Sequence, residues 1–183
     1  SRPDGEEPPT VSPLGGDDGL RFRRGRLIHA LLQTLLQVAP PVRPAAAAAF
    51  LARRVHGLDP AAQAAIAAET LAVLGHPEFG TIFGPAGWAE VPLVGTIGGR
   101  AISAQVDRLV VTPEAVLVVD FKTNRPAPND PSAVPAIYLR QMAAYRQALG
   151  AIYPDRPVRC ALLWTDGPRL MPLPDPLLEK HAP

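Results

Sequence analysis

Cysteine is close to absent. One residue, Cys160, in a chain of 183 excludes an internal disulfide, a four-cysteine zinc site and a self-contained iron–sulfur cluster, and it suits a reducing cytoplasm. Lysine is nearly as scarce, because of 18 basic side chains only Lys122 and Lys180 are lysines. With heavy alanine use and 23 prolines, that arginine excess fits GC-rich coding and carries no functional message, but it makes each remaining lysine worth explaining. No apolar run is longer than Ala45–Ala52, far short of the roughly 20 residues of a membrane-spanning helix. The first residues are acids and prolines, not the basic start and apolar stretch of a secretory signal. The net charge of +1 lacks the excess that announces a nucleic-acid binder. What is present is 47% hydrophobic residues, enough for one domain around a continuous core.

Charge is unevenly spread along the chain. Residues 1–18 carry one arginine against five acids and four prolines and read as a disordered linker or arm. The start at Ser1, without methionine, suggests a piece of a longer protein. Residues 19–59 hold seven arginines against one acid, four of them in Arg21-Phe22-Arg23-Arg24-Gly25-Arg26. That run reads equally as a solvated helix start and as a phosphate-contacting patch. Apolar residues at 27, 28, 31, 32, 35 and 36 form the stripe of an amphipathic helix ending before Pro40-Pro41. An Ala-rich helix is expected over 45–56. A third follows, with Asp59 as N-cap, Pro60 in its first turn and Gly75 as its stop.

Beyond a loop at 76–87 the pattern changes to strands. These are expected at 88–97, 100–111 and 115–121, joined by tight turns at Gly98-Gly99 and Pro113-Glu114. The third strand, Ala-Val-Leu-Val-Val-Asp-Phe, is apolar on both faces and belongs in the middle of a covered sheet. A loop over 123–135, a helix over 136–149, a buried strand over 158–164, a turn at Asp166-Gly167 and a short strand over 169–172 complete the fold. Residues 179–183 are a tail. The class is α/β, a central mixed sheet flanked by helices with an N-terminal helical segment.

Asp120 and Lys122, two residues apart at the end of the buried strand, leave on the same face. If Thr112 and Ala115 close the turn, Asp107 falls opposite Asp120, and a slip of one residue would part them. Two facing carboxylates repel unless a cation lies between them, and a hard divalent ion such as Mg2+ resolves this. Spacing alone leaves open that Asp107 pairs with Arg108 or another arginine and that Asp120 caps a loop. His29 sits at the edge of the first apolar stripe, with Gly25 one turn before it leaving space beside the imidazole. Gln141 and Tyr145, at i and i+4, share one helix face.

In this order, Gly25-x-x-x-His29, Gln105-Val106-Asp107-Arg108-Leu109, Val119-Asp120-Phe121-Lys122-Thr123 and Gln141-x-x-x-Tyr145 resemble the RecB-type branch of the PD-(D/E)xK nucleases. The likeness, spanning about residues 20–178, includes the C-terminal nuclease domains of AddA-type subunits of AddAB helicase–nucleases. It implies a restriction-endonuclease-like core and a Mg2+-dependent DNA nuclease that processes double-strand ends for recombinational repair. His29, Asp107, Asp120 and the Phe121 carbonyl would be metal ligands, with Mn2+ tolerated because of the imidazole. Lys122 would orient or deprotonate the attacking water and offset charge on the scissile phosphate. Gln141 and Tyr145 would support the site and touch the DNA strand, and Arg23, Arg24 and Arg26 would track its phosphates. Ala104 departs from the pattern where relatives often carry glycine. The implied partners are DNA, delivered as single strands by an attached helicase, and an AddB-type subunit. No membrane contact, no ATP site in this chain and no iron–sulfur cluster are expected. The alternative is a DNA-binding or subunit-docking domain of the same complex with weak or lost cleavage.

Overall fold

In a computed structural model, residues 18–97 and 99–183 are described. The arm expected over residues 1–18 therefore lies outside the described residues, apart from its last position, Asp18, which opens the first helix.

The core is a five-stranded sheet in sequential order: β1 (Gly87–Ile97), β2 (Arg100–Val111), β3 (Val116–Lys122), β4 (Val158–Trp164) and β5 (Arg169–Leu173). Neighbours are antiparallel except β3 and β4, which run parallel and therefore need a crossover, supplied by helix α5 (Ala136–Ile152). The sheet is mixed, as the patterning predicts. Apolar on both faces, β3 lies at its centre. Val116 and Val118 pack with Leu162, Trp164 and Met142 under α5, whereas Val119, Phe121 and Leu163 pack against the N-terminal helices. Thr112 closes the β2–β3 turn by donating its N–H to the Ala115 carbonyl (3.0 Å), and the register runs Val111↔Val116 to Arg108↔Val119. This is the alignment that aims Asp107 at Asp120. At the other hairpin Ile97 pairs with Arg100; Gly99 has φ +79°, and Gly98 lies outside the described residues.

Three helices, α1 (Asp18–Leu36), α2 (Arg43–Leu51) and α3 (Pro60–Leu74), cover the second face. The apolar stripe of α1 is fully buried at Ile28, Leu31 and Leu32. Asp59 caps α3 by accepting from the Ala62 N–H (2.7 Å), as the Asp-Pro signature requires. Two boundaries differ from the sequence reading by more than three residues. Helix α1 starts nine residues before the stripe at Leu27, so the arginine run is helical and its side chains radiate around the axis at about 100° per residue instead of forming one basic face. The Ala-rich helix stops at Leu51, and a separate 3-10 turn covers Arg54–His56. The expected loop at 76–87 contains a 3-10 turn and a short helix, α4 (Gly80–Phe83). Buried Arg108 holds its end, donating Nε to the Ile82 carbonyl (2.7 Å) and a terminal nitrogen to Gly84 (3.3 Å). That arginine is thus occupied away from Asp107. The last helix, α6 (Asp175–Glu179), buries Leu178. Among the described residues no helix is long and apolar enough to cross a membrane.

Cys160 lies in the α5-facing core, its Sγ donating to the Met142 carbonyl (3.6 Å), and burial pushes its thiol up to about 12. A thiol reacts as the thiolate. Folded protein at neutral pH is therefore expected to resist an aromatic disulfide reagent and to release one equivalent of thiol on denaturation. Rapid labelling without unfolding would contradict the burial described.

Candidate active site

Strand β3 ends in a polar patch because Asp120 and Lys122 follow its apolar run on the α5 face. Lys122 Nζ lies 2.6 Å from Asp120 Oδ2, donates to Gln141 Oε1 (3.1 Å) and stands 4.0 Å from the centre of the Tyr138 ring. Tyr138, Gln141 and Tyr145 occur at helical spacing on α5, so one face of that helix carries all three. The Gln141 amide donates to the Tyr145 hydroxyl (2.9 Å), and that hydroxyl donates to the Gln105 carbonyl (3.2 Å). A relay of hydrogen bonds thereby runs from the lysine ammonium through α5 to the backbone of β2.

Asp107 meets this patch where the β2–β3 ladder ends. Its Oδ2 accepts the Phe121 backbone N–H (2.6 Å), two positions beyond Val119, the last β3 residue paired with β2. A strand residue directs its N–H and C=O to the same side, so the Phe121 carbonyl also faces β2. The Lys122 carbonyl faces β4, accepting from Thr165 N–H (3.0 Å). His29 reaches the strand end from the opposite sheet face, with its ring edge-on to Phe121 (5.8 Å) and Nδ1 3.5 Å from Asp107 Oδ1. The fold thus gathers His29, Asp107, Asp120, Phe121, Lys122, Gln141 and Tyr145 at one strand terminus.

The electrostatics are those of crowded negative charge. Burial first, and then the charge of Asp107, push the Asp120 carboxyl up to about 6, against the pull of Lys122 and His29. Burial alone would lower the His29 pKa, but its hydrogen bond to Asp107 and the charges of Asp107 and Asp120 outweigh that and leave the imidazole above its ordinary value. A third acid, Glu90 on β1, is held above the usual carboxylate range by burial and by Asp107. Glu90 has φ +51°, a conformation L-residues seldom adopt, and it is skipped in the β1–β2 ladder between the pairs Ala89↔Arg108 and Val91↔Val106. Sequence reasoning missed it, although an acid inside an apolar strand directly across from Asp107 was a readable signal.

Among the described residues no three His, Cys, Asp or Glu side chains form a ready-made cation cage, since one oxygen of Asp107 is turned to the backbone and Asp120 to Lys122. The donor set nonetheless fits a divalent ion. Asp120 Oδ2 is buried and, despite the nearby ammonium, lacks a well-directed hydrogen bond. Carboxylate and carbonyl oxygens suit Mg2+ or Mn2+, and an imidazole is better suited to Mn2+.

The arginines divide. Arg24 is drawn inward, donating to the Thr123 carbonyl (3.0 Å) and pairing with Glu69. Arg23 donates to the His56 carbonyl (3.4 Å), and Arg26 lies over the exposed Phe22 ring (5.2 Å). The single track expected of Arg23, Arg24 and Arg26 is therefore not laid out as one surface; Arg24 in particular serves the fold, because an α-helix cannot present consecutive residues on one face. Glu69, a buried acid that sequence reasoning did not select, also binds Arg125 and accepts from Thr165 Oγ1 (2.6 Å). It joins α1, α3, the segment after Lys122 and the end of β4.

Gly25 has a different role from the one its spacing suggests. A Cβ there would stand 2.9 Å from Thr123 Oγ1, so the missing side chain lets α1 approach the chain just past Lys122 and does not open space beside His29. Gly25→Ala is expected to cost about 1–3 kcal/mol in denaturant unfolding, the range for overpacking, and the double variant with Thr123→Ala to recover most of it. Equal destabilisation in the single and double variants would remove this explanation.

The family model for the PD-(D/E)XK nuclease superfamily matches residues 10–174. A search of curated proteins found no match. Among solved structures, the chain is similar to a protein from Eubacterium rectale provisionally assigned as an exonuclease, at 15% identity and a TM-score of 0.44, covering 64% of this chain and 48% of that one. It thus spans about half the length of that protein. Similarity to SSO0001 is at 15% identity and a TM-score of 0.38, covering 81% of this chain and 76% of that one. With a family model matched over most of its length and the fold that family implies, the chain belongs to the PD-(D/E)XK nuclease superfamily.

Proposed function

We propose that this domain is a divalent-metal-dependent DNA nuclease, using Mg2+ and tolerating Mn2+. In this reading it is the C-terminal module of a longer AddA-type helicase chain, acts with an AddB-type subunit in the cytoplasm, and hydrolyses single strands during processing of double-strand ends for recombinational repair. The observation that carries the reading is the meeting of Asp107, Asp120 and His29 with one lysine at a strand terminus, where Lys122 Nζ is held by Gln141.

His29, Asp107, Asp120 and the Phe121 carbonyl would hold the ion, which would supply an activated water and charge stabilisation at the phosphoryl oxygens. The chain's own residues do the rest. Gln141 and the Tyr138 ring orient the Lys122 ammonium, a compact charge on a flexible stem that can reach a water and a phosphate oxygen together; a planar guanidinium would do this poorly. Tyr145 anchors Gln141 to the Gln105 carbonyl and so transmits the position of β2 to the lysine. Arg23 and Arg26 remain as candidates for phosphate contacts at the approach to the site.

The test is cleavage of labelled single-stranded DNA with Mg2+ or Mn2+. Asp120→Ala and Lys122→Ala are expected to lower the rate by about 10²-fold or more, as for loss of an electrostatic or acid–base group. Chelation should abolish cleavage, and Lys122→Arg should be strongly impaired. Wild-type protein that binds DNA as tightly as the variants but leaves it intact would favour a docking or DNA-binding role. Full activity in Lys122→Arg would remove the role given to the lysine.

A further inference from the structure

A pocket of about 510 Å3 opens beside Lys122, walled by the segment 124–129 and by Tyr138 and Trp164. Both of those side chains are neighbours of the lysine: Trp164 lies across the parallel ladder from it, and the Tyr138 ring lies under its ammonium. The pocket is built firmly. Tyr138 donates its hydroxyl to Asn124 Oδ1 (3.1 Å), and Arg169 donates to the Pro128 carbonyl and to that of Asn129 (3.3 Å).

Its chemistry is that of a flat, uncharged ligand with a polar edge. Pro126, Pro128 and Pro135 line it with apolar surface, and Tyr138 adds an aromatic ring. Trp164 also lines the pocket, but it is fully buried and its Nε1, unpartnered among the described residues, is closed off, so the donor a ligand can reach is on Asn124. With Asn124 Oδ1 taken by Tyr138, the Asn124 amide N–H group is left to donate. The cation on the wall, Arg125, is committed to Glu69 and Asp166, so the pocket is poorly equipped for a phosphate. Aromatic faces with a few amide donors are how single-stranded nucleic-acid bases are held.

We propose that this pocket receives one nucleobase of a single DNA strand, from the nucleotide beside the phosphate that Lys122 faces, packed against Tyr138 with its acceptor edge toward Asn124. The proposal rests on the nuclease reading and adds a subsite to it. A base inside a duplex offers no free face, so the subsite selects unpaired strands, and the base's seating against Tyr138 couples substrate engagement to the ring that orients the catalytic lysine.

The experiment places an abasic site, one position at a time, along a labelled single strand cleaved in Mn2+. Wild type is expected to lose about tenfold in rate at one position flanking the cut, the scale of one stacked base. Tyr138→Ala should lose a similar factor on the intact strand and become insensitive to the abasic site, while Tyr138→Phe, which keeps the ring but gives up the bond to Asn124, should still show the abasic penalty at that position. Cleavage with no such position, or with the abasic penalty undiminished in Tyr138→Ala, overturns the subsite while leaving the nuclease reading intact. If no strand is cleaved, the nuclease reading fails. The subsite is then judged by quenching of 2-aminopurine placed at successive positions of the same strand. Position-specific quenching lost in Tyr138→Ala supports it, and the absence of any position-dependent quenching refutes it.

Discussion

The hydrogen bond from the Phe121 backbone N–H to Asp107 is the contact on which the site depends. It replaces the next rung of the β2–β3 ladder with a side chain, so the strands part where the acids need room. It also fixes the Asp107 carboxylate against the backbone of the segment that carries Asp120 and Lys122. The tight turn closed by Thr112 and Ala115 sets the register leading to it. A slip of one residue would turn every side chain of β3 to the other face, breaking that turn and carrying Asp120 and Lys122 away from Asp107 and α5. The turn and the site geometry therefore depend on the same register.

Around that contact the helices act from opposite sides. Helix α5 delivers Gln141 and Tyr138 to the lysine, while α1 delivers His29 to Asp107. The approach of α1 depends on Gly25 and on the Glu69 node, which gathers Arg24, Arg125 and Thr165 behind the strand end. Buried charge held this way adds little to stability compared with apolar packing. Its value here is geometric, because it joins four separate chain segments behind the strand that carries Lys122.

Composition acquires a sharper meaning in this setting. In a chain that uses arginine almost everywhere, Lys122 occupies a place where the ammonium must fit between Asp120, Gln141 and the face of Tyr138. Lys180 follows α6 near the chain end and has no comparable setting. The arginine run, by contrast, is divided by helical geometry between structural and surface duties.

The sequence by itself determined the strand order of hydrophobic patterns, the central position of β3, the turn that aligns Asp107 with Asp120, and the grouping of Gln141 with Tyr145. These follow from periods of two and of about four residues, which are local properties of the backbone. Tertiary structure alone decided the inward turn of Arg24, the recruitment of Glu69, the purpose of Gly25, and the pocket between Tyr138 and Trp164. Each of these depends on which distant segment comes to lie opposite a residue, and burial and close approach between segments far apart in the chain leave no periodic trace in the sequence.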